Sequence, residues 1–121
     1  MNLLENLGIK TIILQKDYVK LELPITAKLL QPYGLVHGGI NAVLAETAAS
    51  LGANENLASG QVAVGVNITT QHLRKASSGT LFAKAIPVHI GTKLQTWEVQ
   101  IYNAKQLTSL STVTLTNISQ N

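Results

Sequence analysis

One segment of this 121-residue chain, from about Gly39 to Asn56, has no proline and is rich in alanine and leucine. It reads as the one long helix, and almost everything around it reads at period two. Val19, Leu21, Leu23 and Ile25 alternate with Lys20, Glu22 and Pro24, and Thr11 to Gln15 supplies a partner for an opening hairpin. Val62, Val64, Val66 and Ile68 begin a strand that runs to Leu73, and Leu81 to Ile90 forms another, with Pro87 marking an edge or a bulge. Trp97, Val99 and Ile101 alternate in a third, and Leu107 to Ile118 is a Thr-rich fourth. Short turns between consecutive strands favour antiparallel pairing, and a lone helix needs a sheet face to cover its apolar stripe. The expected fold class is α+β, a long central helix wrapped by a curved antiparallel β-sheet. No repeat or linker divides the chain, so residues 1–121 read as a single domain.

At 100° per residue, Ile40, Val43, Leu44, Thr47 and Leu51 share one stripe of the helix, which is expected to face the sheet. Glu46 lies off that stripe, on a flank with Gly39, Ala42, Ala49, Ser50 and Ala53. A solvated helix face mixes charges at i,i+4, and this flank carries no other charge. Two readings stand: the flank faces water and Glu46 is a solubilising helix residue, or something covers the flank, which its lack of other charge favours. A covered carboxylate is desolvated, which makes Glu46 a candidate general base or nucleophile. Ahead of it, His37-Gly38-Gly39 puts a proton-transfer side chain before two glycines at a helix N-terminus, where free backbone N–H groups can hold an oxyanion.

Other chemistries lack their residues. The chain has no cysteine, which excludes disulfides, thiolate metal sites and a cysteine nucleophile. There is no G-x-S-x-G elbow, P-loop or dinucleotide fingerprint, and the three histidines are widely spaced, so no metal site is expected. The net charge of +3 is mild and its basic residues are scattered apart from Arg74 and Lys75, which argues against nucleic acid but suits a small phosphorylated ligand. The N-terminal residues do not resemble a secretory signal, and no apolar run approaches a membrane span, so the expected address is cytoplasmic with no membrane partner.

Gln31-Pro32-Tyr33-Gly34-Leu35-Val36-His37-Gly38-Gly39, followed by Leu44-Ala45-Glu46, resembles the hot-dog-fold acyl-CoA thioesterases, in the branch of the phenylacetic-acid-type and 4-hydroxybenzoyl-CoA enzymes. The similarity is closest to the 1,4-dihydroxy-2-naphthoyl-CoA thioesterases of menaquinone and phylloquinone synthesis. It extends through Asn67 to Lys75, His89 to Thr92 and Gln95 to Trp97. The resemblance implies hydrolysis of an aromatic acyl-CoA, with coenzyme A as part of the substrate and no separate cofactor. It implies Glu46 as the catalytic carboxylate, Gly38 as the amide that polarises the carbonyl, Gln31 and His37 as orienting groups, and Ser50 as a polar group that positions water. It also implies a CoA groove made of Gly65, His72, Leu73, Arg74, Lys75, His89, Ile90, Gly91, Thr92 and Lys93. Active sites shared between protomers, in a homotetramer built as a dimer of dimers, complete what it implies. A non-catalytic acyl-CoA-binding or regulatory hot-dog protein is the alternative.

Overall fold

A short helix that the sequence periodicity does not announce, α1 (Leu3–Leu7), begins the chain in the computed structural model, which describes residues 1–120. The side chain of Asn2 caps it by accepting the Glu5 amide, and Gly8, at φ 90°, ends it in the left-handed conformation that glycine adopts at least cost. The expected hairpin follows as β1 (Lys10–Leu14) and β2 (Val19–Pro24), joined antiparallel. A 3₁₀ turn at Ala27–Leu29 leads to the long helix α2 (Gly38–Asn54). Four strands complete the chain: β3 (Gln61–His72), β4 (Thr80–Ile90), β5 (Leu94–Asn103) and β6 (Gln106–Ser119).

The six strands form one antiparallel sheet in the order β1-β2-β4-β5-β6-β3. β3 therefore leaves the helix, crosses to the far side of the sheet and becomes an edge strand beside β6. Pro87 sits where the β4–β5 register shifts, and β2 pairs with β4 only as far as Ala85, so the proline lies at a bulge and beyond its other neighbour's reach. The β5–β6 hairpin turns at Ala104 and Lys105, both at positive φ, the handedness that matches strand twist in a two-residue loop.

The period-two patterns place Val19, Leu21, Leu23, Leu81, Ala83, Ala85, Trp97, Val99, Ile101, Val113 and Leu115 on the inner face of the sheet, all buried. The helix meets this face differently from the expected stripe. Leu44 and Thr47 are buried as expected, but Ile40, Val43 and Leu51 are only half-buried, and Ala45, Ala48, Ala49, Gly52 and Ala53 make up the rest of the contact. Ala49 and Ala53, expected beside Glu46 on a flank awaiting a partner, are covered by the chain's own sheet. The cause is Trp97. Its indole occupies the space under the helix so fully that a methyl group on Gly52 would overlap the ring, and only a small-residue face lets the backbone come that close. The indole N–H donates to Gln95 Oε1 at 3.0 Å, and Gln95 Nε2 donates to the Ala53 carbonyl at 3.1 Å. One buried chain of bonds thus satisfies the indole and a carbonyl of the last helical turn.

Candidate active site

Two clefts flank α2, one at each end of β3. The first, about 400 Å³, is lined by Gln31, Leu35, Val36, Gly38, Asn41, His72, Leu73, Arg74, Lys75, Ala76 and Thr108. The chain reaches it through a turn closed by Gln31 and Leu35, whose amide and carbonyl bond at 2.7 Å, with Gly34 at φ 84°. The Val36 amide then donates to the Ala76 carbonyl and the His37 amide to the Leu29 carbonyl, which fixes the start of α2. His37, exposed, is the N-cap, its Nδ1 accepting from the Gly39 amide at 3.1 Å. Gly38 is the first helical residue, so its own amide has no acceptor within the helix. A Cβ on Gly38 would lie 3.0 Å from both Cε1 and Nε2 of His72, so the glycine keeps the space between helix start and imidazole open. Asn41 holds the other side of that ring, its Nδ2 lying 3.2 Å from His72 Nδ1.

The second cleft, about 320 Å³, is lined by Leu4, Glu46, Thr47, Ser50, Leu51, Ala63, Val64 and Gly65. Glu46 is half-buried, and its carboxylate lies against Gly65 so closely that a methyl group there would overlap one oxygen. β3 carries a register shift between Gly65 and Asn67 at this point, which bends the strand around the carboxylate. Ser50 follows one helical turn later, its hydroxyl a long 3.5 Å from the Ala63 carbonyl. Asn54 clamps strand to helix, accepting from the Ala63 amide at 2.8 Å and donating to the Ser50 carbonyl at 2.8 Å.

The structure therefore gathers Gln31, Gly38, His72, Leu73, Arg74 and Lys75 in one place, and Glu46, Ser50 and Gly65 in another. The clefts share no lining residue. Gly65 and His72 are seven residues apart on extended β3, about 20 Å. One carbonyl cannot touch both the Glu46 carboxylate and the Gly38 amide of a single chain.

His89 and Ile90 end β4, Gly91, Thr92 and Lys93 form the turn into β5, and none of the five lines either cleft. A Cβ on Gly91 would stand 2.9 Å from both His89 Nε2 and the Leu94 carbonyl, so this tight turn needs its glycine. Thr116 Oγ1 donates to the Lys93 carbonyl at 3.1 Å, and β6 pairs Thr116 with Val64, which puts the turn at the Gly65 end of the sheet. The expected CoA groove is thus split within one chain: Gly65 and residues 89–93 at one end, residues 72–75 at the other. A further cleft, on the sheet face turned away from α2, holds Lys20 and Lys84 over the rings of Phe82 and Tyr102 and contains none of these residues.

Sequence reasoning missed Asn41, Asn54 and Leu4. Both asparagines were readable as polar residues inside an otherwise small and apolar helix, whereas Leu4 had no signal at all. Among the described residues no three of His, Asp and Glu cluster as metal ligands, and no helix is long and apolar enough to cross a membrane.

Comparison with known proteins gives this geometry a family. Residues 33–110 match the thioesterase superfamily. The chain is 38% identical over 101 residues to a 1,4-dihydroxy-2-naphthoyl-CoA hydrolase of Listeria monocytogenes, covering 84% of this chain and 82% of that one. It is also 38% identical over 101 residues to the proofreading thioesterase EntH of Cronobacter turicensis, covering 84% and 74%. A crystal structure of a Haemophilus influenzae thioesterase superposes with a TM-score of 0.91 at 33% identity, over 96% of this chain and 82% of that one. The chain belongs to the thioesterase superfamily, with the hot-dog fold of that family, a helix wrapped by an antiparallel sheet. It is a thioester hydrolase.

Proposed function

We propose that the protein hydrolyses aromatic acyl-CoA thioesters at a site completed by two copies of the chain, Glu46 coming from one and Gln31, His37 and Gly38 from the other. The observation that carries this reading is the separation of the two clefts along β3. β3 is an edge strand of twelve residues with Val64 and Val66 exposed on it, the kind of edge that another strand covers. Antiparallel pairing of two β3 strands about a two-fold axis near Ile68 and Thr69 sets Gly65 of one chain against His72 of the other. Glu46 then approaches the partner's copy of the Gly38 cleft, and residues 89–93 approach the partner's copy of residues 72–75. The same symmetry builds two sites. A tetramer of two such dimers is the assembly we expect.

In this arrangement the thioester carbonyl accepts from the Gly38 amide at the positive end of a 17-residue helix, where negative charge on oxygen is stabilised. Glu46 either attacks the carbonyl carbon or takes a proton from a water that does, with Ser50 beside it to orient that water. On the water route the C–O bond forms as Glu46 takes the proton, the C–S bond breaks, and that proton passes to the CoA sulfur, giving free acid and thiol. On the direct route the C–S bond breaks to leave an acyl anhydride on Glu46, which water then hydrolyses, releasing the acid, restoring the carboxylate and supplying the proton for the thiolate. Arg74 and Lys75 supply charge for the CoA phosphates. The reaction needs no group beyond the substrate's own CoA and suits a cytoplasmic enzyme. One relative is named for a naphthoyl-CoA substrate, which supports an aromatic acyl group, and another at the same identity carries a name that specifies no acyl group, so no single acid is singled out.

The test is a panel of acyl-CoA esters with free-thiol detection, run on the parent and on Glu46→Gln. The substitution keeps shape and removes basicity and nucleophilicity, so kcat should fall by a factor on the order of 10² or more while CoA-ester binding survives. A folded Glu46→Gln protein that turns over its best substrate at the parent rate makes the carboxylate a bystander. A protein that binds these esters and cleaves none is the non-catalytic alternative.

A further inference from the structure

The cleft that holds Glu46 is built from two elements and one outlier. Glu46, Thr47, Ser50 and Leu51 come from α2, and Ala63, Val64 and Gly65 from β3; Leu4 alone comes from elsewhere in the chain. The polar groups are unevenly placed. The Glu46 carboxylate is turned to Gly65, and the Thr47 hydroxyl is spent on the Val43 carbonyl at 2.7 Å, which leaves its methyl as the surface on offer. An acyl group whose carbonyl stands at Glu46 is therefore met by Leu4, Leu51, Val64 and that methyl.

Leu4 is not there by accident of a loose terminus. Five residues do not hold a helix by themselves. α1 is held by the Asn2 cap, by Leu7 and Ile9 packed against the core, and by Lys28, whose ammonium donates to the Asn6 carbonyl and lies 3.4 Å from Asn6 Oδ1. Leu4 and Leu7 are three residues apart and so share one side of the helix. Anchoring Leu7 on the core fixes where Leu4 stands.

We infer that α1 is the specificity element of this site, with Leu4 as the wall that limits the size of the acyl ring. The inference rests on the thioesterase reading above, and names the residue that sets which aromatic acid is released. A hydrophobic wall that is moved by one or more carbon groups changes selectivity by about 10- to 200-fold, so the effect is measurable.

The experiment compares kcat/KM for acetyl-, benzoyl- and 2-naphthoyl-CoA in the parent, Leu4→Ala, Leu4→Trp and Leu3→Trp. Acetyl carries no ring to meet a wall and serves as the internal reference. Leu3 is 56% exposed, does not line the cleft, and reports any general effect of a large side chain on α1. Leu4→Trp should lower the naphthoyl-to-acetyl ratio at least about tenfold. Leu4→Ala should shift the preferred acyl group toward the larger ring, and Leu3→Trp should leave the ratio as it was. Ratios within about twofold of the parent in both Leu4 variants overturn the inference, as does an equal shift in Leu3→Trp. Calorimetric binding of benzoate and 2-naphthoate to the same proteins reads the wall without turnover. If no ester is cleaved yet Leu4→Trp loses naphthoate selectively, the thioesterase reading fails and the wall stands. If naphthoate binds all four proteins alike, the wall falls whatever the hydrolysis shows.

Discussion

A side chain as small as a methyl group on Gly65 would overlap the carboxylate of Glu46. The strand and the helix meet at this point only because one of them has no Cβ. What gives way on substitution is the end of a flexible side chain, so Gly65→Ala should leave the fold intact and displace the carboxylate. Misplacing a reacting group by about 1 Å costs on the order of 10² in rate. We expect kcat to fall by about that factor with the melting temperature little changed, and a fall in stability without a fall in kcat would separate Gly65 from the chemistry.

Gly52 has the same steric description and the opposite consequence. A methyl group there would overlap the ring of Trp97, which is completely buried and tied through Gln95 to Ala53. Helix propensity by itself favours Gly52→Ala by up to about 1 kcal/mol. Overpacking costs about 1–3 kcal/mol and should win, because neither ring nor helix can move without breaking the bonds between them. Denaturant unfolding that shows Gly52→Ala to be the more stable protein would mean that the helix rides further from the sheet.

These two glycines also mark how much of the molecule was legible in its residues. Alternation at 18–25, 62–73 and 96–101 located strands because period two reports directly which face is buried. Glu46 stood out because a charge among Ala, Gly and Ser is costly without a purpose. The buried face of α2 was misjudged because a 100° projection weights large apolar residues, and here Ala45, Ala48, Ala49, Gly52 and Ala53 face the sheet to make room for Trp97. The division of the site did not come from periodicity. The resemblance implied sites shared between protomers and one CoA groove through Gly65, residues 72–75 and residues 89–93. A motif match does not say which parts of a groove one chain can hold together, and β3 separates Gly65 from His72 by about 20 Å. Helix α1 was missed because five residues show no full period.

Arg74 and Lys75 stand exposed at the mouth of the Gly38 cleft, and a charge placed there is felt by a CoA phosphate before the thioester is in position. Contacts made equally in ground and transition states lower KM without raising kcat. The double substitution Arg74→Ala and Lys75→Ala should therefore raise KM and leave kcat within a few-fold of the parent. It should also flatten the rise of KM with salt, since exposed charges are screened at ordinary ionic strength. Identical salt dependence in parent and variant would remove residues 74–75 from the CoA path.

Sharing of the site between copies can be tested by mixing two broken proteins. Glu46→Gln destroys one half of the site, and Gln31→Ala with His37→Ala destroys the other, so each homodimer has two defective sites. In a heterodimer the Glu46 of the second protein meets the intact Gln31 and His37 of the first, and the remaining site collects all the lesions. Random pairing makes about half of the dimers mixed, each with one good site of two, so co-refolding should restore about a quarter of parent activity. If Glu46 worked with Gln31 and His37 of its own chain, every site in the mixture would keep one lesion, and activity would stay at the mean of the two variants. Recovery that grows with subunit exchange places the catalytic carboxylate across the interface; its absence, in mixtures shown to contain heterodimers, returns both halves to one chain and contradicts the separation of the clefts along β3.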